Sequence, residues 1–208
     1  MSSVVGGGST VGSRILRYIA ESSLVLERMR NTPVLVERIA AAATACERSL
    51  GRGGKILFCG NGGSAADAQH LAGELVSRFN YDRPGMAGLA LTVDTSVLTA
   101  IGNDYGYDHV FARQVEALGQ EGDVLVGIST SGRSPNVLRA LETARRLGLV
   151  TIGLTGRDGG PMAALCDIEI RIPSDSTPLV QQGHIVVGHL ICSLVEAAIH
   201  PAPSRNLA

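Results

Sequence analysis

His70 and Glu74 stand four residues apart in a run of helical composition, Ala65–Phe79. At helical geometry they lie about 40° apart on one face. An imidazole and a carboxylate side by side suit a divalent metal that accepts nitrogen and oxygen donors, or a base with its acid partner. A second polar set, Gln181, Gln182, His184 and His189, interrupts the apolar pattern of the last predicted helix, Pro178–Ala198, which Thr177 is expected to cap. On that helix Gln182 and His189 lie about 20° apart, Gln181 and His189 about 80°, and His184 and His189 about 140°. His184 and His189 are therefore expected to serve different sites, while the spacing leaves Gln181 and Gln182 both open. A lone histidine on an apolar face is ordinarily a satisfied core group, so the combination with Glu74 carries the metal reading.

Two loops could hold an anion. Gly60–Ser64, GNGGS, follows an apolar run and precedes the helix of His70. Strand, glycine turn and helix N-terminus gather several backbone N–H groups at one spot. It is neither the dinucleotide pattern nor a Walker loop, and a turn that needs positive φ explains its glycines equally well. The other loop, Ser129-Thr130-Ser131-Gly132-Arg133-Ser134-Pro135, follows the apolar run Val124–Ile128. Its hydroxyls can donate to phosphate oxygens, and Pro135 opens a helix whose N-terminus adds partial positive charge. An N-cap at Ser134 would explain that serine but not the other three. Neither loop contains lysine, so a phosphate here would be held mainly by neutral donors. The stretch Gly102-Asn103-Asp104-Tyr105-Gly106 reads as a turn as readily as a ligand contact.

The elements that must position these residues alternate. Predicted strands are Ile56–Cys59, Gly88–Val93, Val124–Ile128, Val150–Leu154 and Ile168–Ile172, with helices at Ala65–Phe79, Thr95–Ile101, Val110–Leu118 and Pro135–Leu147 between them. Short, nearly all-apolar strands separated by helices indicate an α/β fold, a parallel sheet covered on both faces, whose ligands bind beyond the carboxyl ends of the strands. Two helices precede the first strand, Val11–Arg30 and one that Thr32 caps and Pro33 opens, ending near Leu50. The pair could cover the sheet or pack against another subunit. Residues 1–10 are expected to fray and residues 201–208 to form a loose tail, leaving one domain over 1–208.

Composition narrows the function classes. Of 208 residues 45% are hydrophobic, so the chain can bury a sizeable core. The net charge of -1 and 3% aromatic content argue against a nucleic-acid partner. No apolar run approaches the roughly 20 residues of a membrane span, and the N-terminus lacks a signal-peptide pattern. Cys46, Cys59, Cys166 and Cys192 show no metal or disulfide spacing and read as buried free thiols, with cytoplasmic localisation the expectation.

Together, GNGGS, QHLAGEL, AIGNDYG, GISTSGRS, LTGRDGG and the final Gln…His helix resemble the sugar isomerase (SIS) domain family, and within it the heptose-phosphate isomerases. The resemblance runs from about the second helix to the last. It implies a three-layer α/β/α sandwich with a five-stranded parallel sheet, and a homotetramer in which the N-terminal helices, residues 11–50, pack subunits together. It implies one zinc per subunit on His70, Glu74, Gln181 and His189, which settles the glutamine in favour of Gln181. Ser129, Thr130, Ser131 and Ser134 would bind the substrate phosphate; Asn61, Gly62, Gly63, Asn103 and Asp104 would line the sugar, with Glu74 and Gln181 also against it. The implied reaction exchanges sedoheptulose 7-phosphate and D-glycero-D-manno-heptose 7-phosphate through an enediol, with Glu74 as base and His189 as its acid/base partner, supplying heptose for lipopolysaccharide. One branch of the family is instead a non-catalytic tetramer that binds the replication initiator protein, and the stretch Asp94–Asp104 is similar to both; that branch lacks the residues matching Glu74 and His189. An isomerase of another sugar phosphate is the remaining alternative.

Overall fold

The computed structural model describes residues 10–202. Two helices open it, α1 (Val11–Arg30) and α2 (Pro33–Leu50). Thr10 caps α1, its side chain accepting from the Ser13 N–H at 3.3 Å, so the fraying expected over residues 1–10 does not hold there; residues 1–9 and 203–208 lie outside the described residues. Thr32 occupies the N-cap of α2 with Pro33 first in the helix, but its hydroxyl donates to the Arg28 carbonyl at 2.7 Å instead of capping. Of this pair α2 is the one that covers the sheet, burying Leu35, Ile39, Ala42, Ala43 and Cys46. Helix α1 buries Val25 and Met29 alone and leaves Val11, Ile15, Leu16 and Ile19 exposed.

Five parallel strands follow: β1 (Ile56–Gly60), β2 (Gly88–Ala90), β3 (Val124–Ile128), β4 (Val150–Thr155) and β5 (Ile168–Arg171), in the order β2-β1-β3-β4-β5. The helices between and after them are α3 (Gly63–Val76), α4 (Thr95–Asp104), α5 (Ala112–Leu118), α6 (Pro135–Arg146) and α7 (Thr177–Ile199). Alternation along β1 divides the core. Ile56 and Phe58 face a layer with Leu71, Leu75 and Val187, while Leu57 and Cys59 face Val115, Val137 and Leu141 on the other side. The expected three-layer sandwich is the observed one.

Several boundaries differ from expectation. At the sheet edge β2 keeps three residues rather than six, although the Leu91 N–H still donates to the Phe58 carbonyl at 2.9 Å. Helix α3 starts at Gly63, two residues early, because Gly62 takes φ 55° at its N-cap. Helix α4 continues to Asp104, which puts Asn103 and Asp104 in its last turn and not in a loop. Ser176, not Thr177, is the N-cap of α7. Contrary to the expectation of no span-length apolar run, α7 is long and apolar enough by length and composition to cross a bilayer. Its Leu179, Val180, Val187, Ile191 and Val195 belong to the core, so here it is a buried helix of the sandwich. Cys46, Cys59 and Cys192 are buried free thiols, as expected, and Cys166 is half-buried.

The order in which strands are added reverses between β1 and β3, where doubly wound folds leave a crevice for ligands. β1 and β3 pair in register from Ile56 opposite Val124 to Gly60 opposite Ile128. The GNGGS turn and the hydroxyl-rich loop therefore leave the sheet side by side.

Candidate active site

Residues from distant parts of the chain meet where α3 packs on α7. His70 on α3 and His189 on α7 approach with Nε2 atoms 2.8 Å apart, and Glu74 Oε1 lies 3.2 Å from His70 Nε2. One donor atom from each of the three residues falls within 4.8 Å of the others. Tetrahedral zinc with bonds of about 2.1 Å holds neighbouring ligands about 3.4 Å apart, so the set fits such an ion after the two imidazoles part slightly. Helix α3 brings His70 and Glu74 to one face by the spacing read from the sequence. Packing of α3 on α7 brings His189 to them, and this depends on Gly188, where an added Cβ would run into Leu71.

The two glutamines separate. Gln182 donates from Nε2 to the Tyr18 hydroxyl of α1 at 3.1 Å. Gln181 instead lies against the GNGGS turn, so close that a Cβ on Gly63 would strike its amide nitrogen. A side chain at 63 would displace the Gln181 amide, and Gln181 is the glutamine that touches the turn.

His184 is set apart from His189, as expected. It is buried, its Nε2 facing the Thr155 carbonyl at 3.1 Å, while its Nδ1 has no partner. Burial pushes its pKa down to about 4, against a smaller opposing effect of the Thr155 hydrogen bond. Between about pH 6.5 and 4 the unfolded chain therefore binds a proton that the native His184 does not, and stability falls as pH falls, by at most about 1.4 kcal/mol per pH unit. Urea unfolding of the protein and of His184→Gln across this window is expected to show a steeper acid loss for the unsubstituted protein; equal slopes would exclude His184 as the cause.

At the turn, Asn61 and Asn136 exchange amide hydrogen bonds of 2.8 and 2.9 Å, and the Tyr107 hydroxyl donates to Asn61 Oδ1 at 3.1 Å. Asn136 and Tyr107 were not singled out from sequence. Asn136 follows Pro135 at the start of α6, a position ordinarily ascribed to the helix start, and nothing local ties Tyr107 to residue 61. Asn103 and Asp104 are exposed and bond to each other at 2.8 Å. Among the described residues neither has a hydrogen bond to the turn or to the His/Glu/His cluster. Asp67, one turn before His70, was also missed: its Oδ2 is buried without a hydrogen-bond partner, and burial raises its carboxyl above the usual range, opposed by His70.

The hydroxyl loop splits in two. Ser129 and Ser134 bond to each other through their hydroxyls at 2.9 Å, so Ser134 sits at the N-cap of α6 without capping it. Thr130 and Ser131 line an open pocket of about 230 Å³ with Gly156, Ser174 and Thr177. The two arginines there are already paired, Arg133 with Asp158 at 3.1 Å and Arg157 with Asp175 at 3.3 Å. Asp158 and Asp175 also line this pocket, and of the loop's four hydroxyl residues Thr130 and Ser131 face it. The LTGRDGG stretch buttresses the loop. Gly156 N–H donates to the Thr130 carbonyl at 3.1 Å and Met162 N–H to that of Gly132 at 3.2 Å.

Residues 17–156 match the family model described as SIS domain. The chain is 55% identical to the phosphoheptose isomerase of Burkholderia pseudomallei (strain K96243) over 89% of its length and 94% of that protein. It is 61% identical to that of Rhodospirillum rubrum over 77% of its length and 86% of the relative. The solved phosphoheptose isomerase from Neisseria gonorrhoeae superposes with a TM-score of 0.85 at 46% identity, covering 90% of this chain and 100% of that one.

Proposed function

Because the chain belongs to the SIS-domain family and, within it, to the phosphoheptose isomerases, we propose that it interconverts D-sedoheptulose 7-phosphate and D-glycero-D-manno-heptose 7-phosphate through an enediol, as a step toward the heptose of lipopolysaccharide. The observation that carries this reading is the convergence of His70 and Glu74 of α3 with His189 of α7. A ketose–aldose exchange moves one proton between neighbouring carbons, and a carboxylate with an imidazole is a suitable pair for removing and returning it. Glu74 uses Oε1 toward His70, which leaves Oε2 to take the proton from the carbon beside the carbonyl. His189 supplies a proton to the carbonyl oxygen and takes one back from the hydroxyl on the neighbouring carbon, so that the carbonyl moves to that carbon. Ser129, Thr130, Ser131 and Ser134 hold the phosphate, with Asn61, Gly62, Gly63, Asn103, Asp104 and Gln181 along the sugar.

His70, Glu74, Gln181 and His189 would hold one zinc, a set supported by the His/Glu/His geometry and by Gln181 lying at the adjoining turn. When bound, it supplies Lewis-acid polarisation of the carbonyl and orients the sugar hydroxyls. The protein acts in the cytoplasm as a homotetramer. The exposed apolar residues Val11, Ile15, Leu16 and Ile19 on α1 support packing of copies through the N-terminal helices.

An assay of sedoheptulose 7-phosphate beside pentose and hexose phosphates tests the reading. We expect the heptose ester to be turned over with the highest kcat/KM, and protein purified without chelator to carry one zinc per subunit. Preference for a pentose or hexose phosphate would overturn the substrate, and full activity without stoichiometric zinc would overturn the metal.

A further inference from the structure

The end of α3 is held by a buried ion pair that also reaches α7. A helix C-terminus leaves its last carbonyls without intrahelical partners. Arg83 satisfies several of them, donating from Nη1 to the Leu75 carbonyl at 2.6 Å and the Ser77 carbonyl at 3.0 Å, and from Nη2 to the Glu74 carbonyl at 2.8 Å. Its Nε donates to Glu196 Oε1 at 3.1 Å, with the two side chains 2% and 0% exposed. Glu196 belongs to α7, two turns beyond His189, and accepts from the Phe79 N–H at 2.8 Å and the Asn80 N–H at 2.7 Å. The Phe79 ring in turn rests 5.3 Å from the His189 imidazole, centroid to centroid. Burial alone would raise the Glu196 carboxyl, but the Phe79 and Asn80 N–H groups and the Arg83 guanidinium outweigh it and hold it below the usual range, so it is charged.

We propose that Arg83 and Glu196 are positioning residues of the isomerase: the pair locks the end of α3 to α7 and thereby sets the placement of Glu74 against His189. One arm runs from Arg83 to the Glu74 backbone, the other from Glu196 through Phe79 to the His189 ring. The pair also satisfies carbonyls at the end of α3 and the Phe79 and Asn80 N–H groups, so it serves the fold as well, and kinetics and zinc affinity in folded variants separate that role from positioning. The two halves of the site come from separate helices, and a shift of about 1 Å between them costs up to about a hundredfold in rate. The inference rests on the roles given above to Glu74 and His189.

The test compares Glu196→Gln, the double variant Arg83→Met/Glu196→Leu, and Phe79→Leu, which keeps the ion pair and removes the ring from His189. Folding is read by circular dichroism, kinetics with sedoheptulose 7-phosphate, and zinc binding by chelator competition on metal-free protein. For folded variants we expect kcat to fall about tenfold or more with KM nearly unchanged, and zinc affinity to weaken about tenfold, the range for groups that orient ligands from behind. Wild-type kcat, KM and zinc affinity in the folded double variant would overturn the proposal. Should that variant not fold, the same wild-type result in Phe79→Leu overturns it. An unsubstituted protein without isomerase activity, whose zinc affinity still drops in these variants, would overturn the functional reading and leave the clamp standing.

Discussion

Glu74→Gln is expected to fold like the unsubstituted protein and to lose at least about a hundredfold in turnover, the size of a general-base effect. The substitution keeps the side chain's shape and removes its charge and basicity. Glu74 is only half-buried, and its partner His70 is largely exposed, so little folding energy depends on the pair. A ligand role and a base role both predict inactivity, and metal saturation separates them. If Glu74 is the base, the loss persists at saturating zinc; if it only holds the metal, excess zinc restores turnover. Near wild-type activity at ordinary zinc would remove Glu74 from the mechanism altogether.

Gly132→Ala is expected to raise KM for the sugar phosphate by about tenfold or more and to lower stability by about 2–4 kcal/mol. Gly132 has φ 62°, and an added Cβ would run into the Gly159 carbonyl oxygen. The opposing turn cannot yield easily, because Gly159 and Gly160 also occupy positive φ, at 70° and 58°, and pack against Glu169 and the hydroxyl loop itself. The loop must therefore move, and with it Ser129, Thr130, Ser131 and Ser134. Gly53→Ala is the control. Gly53 has φ 79° with open space around it, so it carries the conformational strain without the clash. That variant should lose about 1 kcal/mol and keep its kinetics. Steady-state kinetics, inhibition by inorganic phosphate and urea unfolding check both. An unchanged KM in Gly132→Ala would dissociate the loop from phosphate binding.

Much of this was legible because it is local. Strand, turn and helix in Lys55–Arg78 follow from hydrophobic pattern and glycines, and the four-residue spacing of His70 and Glu74 is a property of any helix. The alternation of apolar strands with helices indicates a parallel sheet covered on both faces, and the family resemblance adds its five strands and three layers. The helix arithmetic also separated His184 from His189, and the structure shows the reason: His184 turns to the Thr155 carbonyl while His189 turns to His70. Other features stayed hidden because their partners are far away in sequence. Asn136 and Tyr107 acquire meaning only when β1, α6 and the segment after α4 meet at Asn61. Arg83 and Glu196 look like ordinary surface charges until α3 and α7 bury them together.

What the residues determine by themselves is which chemical groups are present: a His/Glu pair on one helix, a Gln…His set on another, and a hydroxyl-rich loop after a strand. Local pattern suffices for these because backbone geometry within one element is set by neighbours a few residues away. Which of those groups share a site is a matter of tertiary packing. Angles on an isolated helix left Gln181 and Gln182 open, and the crossing of α7 past Gly63 and Tyr18 sends one to the turn and the other to α1. Likewise the distance from Glu74 to His189 depends on how two helices pack. That spacing is governed by a glycine at their crossing and a buried ion pair at their ends, contacts between residues more than a hundred positions apart.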